Sequence, residues 1–220
     1  SGGLVGSEMC IRDRINAFDN NEYDVLIGTQ MITKGLDFKN VQLVGVLNLD
    51  SSMNFPDFRS HERSFQLIQQ VSGRAGRSKE RGEVLIQTYS SNSNVINQIV
   101  DGNYEFFYRD QIEDRKKFNY PPYVKLIKIT IKHKDINRVN NSSKWFYKKI
   151  LPYFKKNILG PEFPYISRIR NKYQKNILIK IPAEQSLSGV KNILKKSILS
   201  FHSIADFRSC LLYTSDAADE

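Results

Sequence analysis

RSHERSFQLIQQVSGRAGRSKERGEVLIQT, residues 59–88, decides the reading of the first half of the chain. Its front part places Phe65, Leu67 and Ile68 on the apolar side of a helix over Arg59–Val71. Its end, Gly82–Thr88, is a short apolar run of strand length. Between them, Gln70-Val71-Ser72-Gly73-Arg74-Ala75-Gly76-Arg77 carries two arginines, each preceded by a glycine. Working outward, Asp24–Gly28 reads as a short buried strand and Val41–Leu49 as a second apolar run. Asn92 or Ser93 can cap a helix with Val95, Ile96, Ile99 and Val100 inward. Short apolar runs separated by helices are the pattern of a parallel α/β sheet.

The arginine pair has a chemical use. A guanidinium is permanently charged and grips phosphate oxygens bidentately. Presented from a loop, it can stabilise charge on a transferring phosphoryl group. Alone, the pair reads as readily as a glycine-rich turn with solvated arginines. It is joined by Gly28–Phe38 (GTQMITKGLDF), which directly follows the predicted 24–28 strand, where α/β sheets hold ligand loops. There Thr29 offers a hydroxyl, Lys34 a cation and Gly35 close backbone approach. Asp37 can accept from a ribose hydroxyl or an arginine, or merely cap a turn.

Glu105–Lys117 reads as a charged helix, its aromatic neighbours Tyr104, Phe106, Phe107 and Tyr108 packing to a core. Pro121-Pro122 then marks a boundary. Beyond it, Lys125–Lys132 alternates, with Ile127, Ile129 and Ile131 on one face and Lys128, Thr130 and Lys132 on the other. Ser142 or Ser143 opens a helix carrying Trp145, Phe146 and Ile150, disturbed by Pro152, and Gly160-Pro161 reads as a turn. Strands are expected at Ile166–Arg170 and Asn176–Ile181, a helix at Val190–Leu199 and a last strand from Ile204. This β-α-β-β-α-β order is that of an α+β ferredoxin-like sandwich. Arg168, Arg170, Lys172, Tyr173 and Lys175 gather there, cations for phosphates beside an aromatic for an unpaired base. The alternative is a solvated hairpin with Tyr173 packed into the sheet.

Charge divides the chain the same way. Of the net +10, residues 15–120 carry −2 and residues 121–208 carry +15. Genome bias toward lysine would raise both halves, so the asymmetry points to a nucleic-acid-facing surface in the second. No apolar run of about 18 residues occurs, which excludes a membrane span of that kind. Two cysteines, Cys10 and Cys210, and His61, His133 and His202 leave no material for a disulfide framework or a zinc site. Residues 1–14 and 209–220 differ abruptly in composition from the rest and are set apart as expected non-native tails. The expected domains are therefore 15–120 and 121–208, in a fragment of something longer.

GTQMITKGLDF resembles motif V, and QVSGRAGR motif VI, of superfamily-two helicases. The intervening VLNLDSSMNFPDFRSHERSFQLIQQ, the continuation RGEVLIQTY, and the later FNYPPY and LGP…RIRNKYQ…ILIK are similar to the primosomal replication-restart helicase family. The resemblance covers 15–208 and implies a second RecA-like lobe followed by the family's C-terminal domain. It implies that Arg74 and Arg77 reach ATP phosphates, with Gln70, Gly73 and Gly76 in the same motif. It further implies that Gly35 and Asp37 contact nucleotide and that Thr29 and Lys34 touch the DNA backbone. Val71 stands where many RNA helicases carry another arginine, which leans away from the DEAD-box type.

No GxxxxGK[ST] loop or DExH motif occurs in the chain. The family's phosphate loop, acid motif and zinc-binding cysteines are expected before residue 15, so zinc belongs to the full-length family and not to this chain. ATP and Mg²⁺ are implied, held mainly by the other lobe. Implied partners are single-stranded and forked DNA, single-strand-binding protein, other primosome proteins and the replicative helicase, in the cytoplasm. Two other readings stay open: another superfamily-two translocase acting on RNA or DNA, and a non-catalytic nucleic-acid-binding protein.

Overall fold

The computed structural model describes residues 12–29, 41–73 and 82–216. The chain divides into two compact units, Ser1–Arg109 and Asp110–Glu220.

In the first unit, residues 12–19 are helical (α1). β1 (Leu43–Val46) and β2 (Glu83–Ile86) pair in parallel, with Leu43 opposite Glu83 and Val46 opposite Ile86. The apolar run through Leu49 is thus shorter as a strand than its composition predicts. Asn48 turns left-handed at φ 51° and its side chain accepts from the Ser51 amide, opening α2 (Leu49–Met53). Leu49 is thereby swung into the core. The Asp50 carboxylate fastens the far end of β2, accepting from the Thr88 hydroxyl at 3.0 Å and the Tyr89 amide at 2.9 Å.

α3 (Ser60–Ser72) buries Ser64, Phe65, Ile68 and Val71, one stripe at helical spacing. Ser93 caps α4 (Asn94–Val100), accepting from the Ile96 amide at 3.2 Å. Ile96 and Ile99 point inward, whereas Val100, expected beside them, is exposed because its position lies off their stripe. α5 (Tyr104–Lys117) contributes Phe107, stacked on Phe65 at 4.5 Å. Phe107 is the one of the four that is buried; Tyr104 meets Phe65 edge-on at 5.8 Å while staying largely exposed, as do Phe106 and Tyr108, so the packing predicted for all four is only partly made.

The predicted strand at Asp24–Gly28 is not formed. Its residues pair with neither β1 nor β2, and Val25 and Ile27 are 71% and 85% exposed. An apolar run becomes a strand only when a neighbouring ladder satisfies its backbone, and no such ladder reaches it among the described residues.

The second unit is built on β3 (Val124–His133), β4 (Ile158–Glu162), β6 (Lys172–Pro182) and β7 (Leu211–Asp216), with the short β5 (Arg168–Ile169) beside β6. The order is β4-β6-β3-β7 and every pairing is antiparallel. β7 lies in the tail that composition sets apart. α6 (Ile136–Phe154) and α7 (Leu187–Ser203) pack their apolar sides onto one face of the sheet. Ile127, Ile129 and Ile131 meet Ile177, Ile179 and Ile181 beneath Phe146, Ile150, Leu194 and Phe201. This is the alternation read from the sequence, its polar side left uncovered by the helices.

Four local readings are corrected. α6 starts at Ile136, not at Ser142 or Ser143, because Asp135 accepts from the amides of Asn137 (2.7 Å) and Arg138 (3.4 Å). The two serines instead sit buried in the helix, their hydroxyls on the carbonyls of Val139 and Asn140. Gly160-Pro161 lies inside β4 at a register shift rather than in a turn between elements. Gly160 has φ 96°, and a β-carbon there would meet the Asn176 carbonyl at 2.5 Å, so glycine is required by close approach. The strand expected at 166–170 shrinks to β5, while β6 extends back through the basic stretch because its pairing with β3 continues unbroken to Tyr173 opposite His133. Finally, 204–208 holds a 3-10 turn at Ala205–Phe207, not a strand.

Candidate nucleic-acid interface

The basic cluster of the second unit forms a hairpin. Arg168 lies opposite Tyr173 and Ile169 opposite Lys172, joined through Arg170 and Asn171. Both loop residues have positive φ, 48° and 61°, the geometry of a two-residue turn that follows the twist of the strands. The Arg168 guanidinium donates to the Asn171 side-chain carbonyl and lies over the Tyr173 ring at 4.9 Å. One face of that ring is therefore taken by the arginine, and the contact steadies the arginine in turn. Lys175 stands over Phe163 at 4.6 Å.

By the alternation of a regular ladder, Arg168, Tyr173 and Lys175 share one face of the hairpin and Lys172 the other. Arg168 and Arg170 are exposed, while Lys172, Tyr173 and Lys175 are half-buried. The cations predicted from sequence are thus brought to one rim but not to a single face.

The other sequence-predicted residues belong to the first unit. Gln70 is half-buried in the last turn of α3, and Gly73 ends that helix, its amide bonded to the Gln69 carbonyl at 3.1 Å. Thr29 is exposed and lies in no strand. Lys34, Gly35, Asp37, Arg74, Gly76 and Arg77 lie outside the described residues.

Several cations are added by the sheet rather than by the motif. Lys128 and Lys132 lie on the face of β3 that the helices do not cover, flanking Thr130, whose hydroxyl donates to the Asn176 side-chain carbonyl at 2.9 Å. Lys180 on the same face is committed to structure. Its ammonium donates to the Phe118 carbonyl at 2.6 Å and sits 4.0 Å from the Tyr120 ring centre, and burial lowers its pKa from the usual lysine value. Phe163 and Tyr165, in the loop before the hairpin, were legible only as aromatics interleaved with Pro161 and Pro164.

Among the described residues no group of three or more His, Cys, Asp or Glu side chains is placed to hold a metal. None of the described helices is long and apolar enough to cross a membrane.

Two families match the chain. Residues 11–79 match the helicase conserved C-terminal domain, and residues 116–206 match the primosomal protein N C-terminal domain. The replication restart protein PriA of Bacillus subtilis is 42% identical over 188 residues, 82% of this chain and 23% of that protein. The protein of the same name from Borreliella burgdorferi is 36% identical over 188 residues, 84% of this chain and 28% of its own. That from Synechocystis is 41% identical over 175 residues, 78% and 21% respectively. The chain therefore spans about a quarter of the length of these relatives.

Proposed function

The chain is a relative of the C-terminal part of replication restart protein PriA, and from that premise we propose that it is the DNA-gripping end of an ATP-dependent DNA helicase acting at stalled replication forks. The observation that carries the reading is 42% identity running through both units together. Motif VI alone would reach only as far as the first unit. The strand and helix order of the second unit, with α6 and α7 on one face, supports a ferredoxin-like domain whose rim carries the basic hairpin.

In the whole protein this lobe would face another lobe across an ATP site. ATP with Mg²⁺ would supply the driving free energy there. Arg74 and Arg77 suit phosphate oxygens by charge and fork geometry, and they follow directly on a helix anchored by Phe65, Ile68 and Val71. That anchoring fixes Gly73, the residue from which the arginine pair continues in sequence. Gly35, Asp37 and Gln70 would contact the nucleotide, and Thr29 and Lys34 the DNA backbone. Translocation would run 3′ to 5′ on single-stranded DNA, in the cytoplasm. The C-terminal domain would hold the fork and meet single-strand-binding protein, the primosome proteins and the replicative helicase.

The test uses the chain as it stands. It is expected to bind single-stranded and forked oligonucleotides, with affinity falling steeply as salt rises. It is expected to release no phosphate from ATP with DNA and Mg²⁺ present, because it has no GxxxxGK[ST] loop. Fluorescence anisotropy and a phosphate-release assay read the two. Robust DNA-stimulated turnover by the purified chain would overturn the division of labour between lobes, and an absence of DNA binding would overturn the grip.

A further inference from the structure

We propose that Tyr165 is the base-stacking residue of the basic hairpin, so that this rim recognises unpaired nucleotides rather than duplex backbone alone. The inference rests on the DNA-gripping reading above and names the strand chemistry it would take.

Residues 162–169 are laid along β6 by a series of anchors. Glu162 pairs with Asn176, and Phe163 lies under the Lys175 ammonium. The buried side chain of Gln174 donates to the Ile166 carbonyl at 2.8 Å, while its amide donates to the Ser167 carbonyl at 2.9 Å. Arg168 then pairs with Tyr173. Tyr165 stands between these anchors, immediately after Pro164, with 82% of its surface exposed. A short segment fixed at both ends presents its middle side chain at little ordering cost. The ring is thus presented to solvent from an anchored segment.

Its surroundings select the ligand. Arg168, Arg170, Lys172 and Lys175 are the nearby cations in sequence, and Glu162 is the one carboxylate between Asp135 and Glu184. An exposed aromatic in so basic a stretch of chain matches a strand that offers both phosphates and ring faces. In a duplex the bases are stacked inside and an exposed ring gains nothing from them, so the complementary strand is unpaired. Tyr173, equally near the arginines in sequence, has one ring face already covered by Arg168 and acts as that arginine's support.

The experiment compares a labelled thymidine oligonucleotide with an abasic strand of equal length, each titrated with the full chain across a salt series. The wild type is expected to prefer the thymidine strand. Tyr165→Ala is expected to weaken that binding by about 5- to 150-fold, the range for losing one stacked base, and to abolish the preference without changing the salt slope. Tyr165→Phe, which keeps the ring, is expected to retain it. Preference surviving in Tyr165→Ala, or Phe failing as Ala does, overturns the assignment. Salt-dependent binding of both strands with no preference in the wild type overturns it too, while leaving the basic hairpin standing. Absence of binding to either strand removes the hairpin reading itself, and an acidic peptide then becomes the fitting partner.

Discussion

In the full-length protein, Arg77→Ala is expected to lower ATP turnover by orders of magnitude while leaving DNA affinity nearly unchanged, and Arg74→Ala to do the same. Where an arginine finger acts on phosphoryl transfer its removal costs about 10³–10⁵ in rate. The separation between turnover and affinity follows from position. These residues sit in the first unit's sequence, whose charge over 15–120 is −2, whereas on the proposed reading the +15 of 121–208 would be the electrostatic source of non-specific DNA affinity. Arg77→Lys is expected to recover little, because an ammonium is a point charge without the planar fork. Steady-state turnover and DNA dissociation constants for the three variants check this. Near-normal kcat in both alanine variants would reduce GRAGR to a turn.

Phe146→Ala is expected to cost about 3–5 kcal/mol of folding stability, the range for emptying a buried aromatic site. Against a typical total of about 5–15 kcal/mol, that removes a large share. Phe146 is fully buried on α6, edge-on to Phe201 of α7 at 5.8 Å, and belongs to the cluster with Ile129, Ile131, Ile177 and Ile179. The helices and both central strands meet around that ring, so its loss cannot be repaired by the movement of one neighbour. Phe106→Ala serves as the contrast: 58% exposed on α5, it is expected to change stability by no more than about 0.5 kcal/mol. Urea unfolding of the two variants measures the difference, and equal losses would contradict the burial argument.

That core was legible in the sequence for a physical reason. Ile127, Ile129 and Ile131 alternate with Lys128, Thr130 and Lys132, and only one face of a strand can bear each set. The stripe on α3 and the Ser93 cap were legible on the same local grounds. What escaped reading depended on partners distant in sequence. Asp24–Gly28 has strand composition but no described ladder to join. Gly160-Pro161 looks like a turn until the Asn176 carbonyl is found against it. Lys172–Lys175 looks like a loop until β5 pairs with Lys172 and β3 supplies ladder partners for Tyr173–Lys175.

The candidate site divides similarly. Residue type exposed the cations of the hairpin, since clustering of like charge is a sequence property. Their split between two faces needed the register. Tyr165 was hidden because Tyr165 and Tyr173 look alike in sequence; only the arginine lying over Tyr173 and the exposure of Tyr165 separate them.

The central claim is that the second unit holds DNA through its basic hairpin, and the salt dependence of single-strand binding tests it most directly. On single strands the log–log slope is about −0.7 per phosphate neutralised. Replacing Arg168, Arg170 and Lys172 together by Ala should weaken binding and flatten the slope by roughly two units, three contacts' worth. These side chains lie at a two-residue turn outside the buried core, so a matching circular dichroism spectrum confirms that the fold is kept. A flattened slope with reduced affinity is the predicted result; a triple variant that keeps both the affinity and the slope of the parent chain contradicts the account.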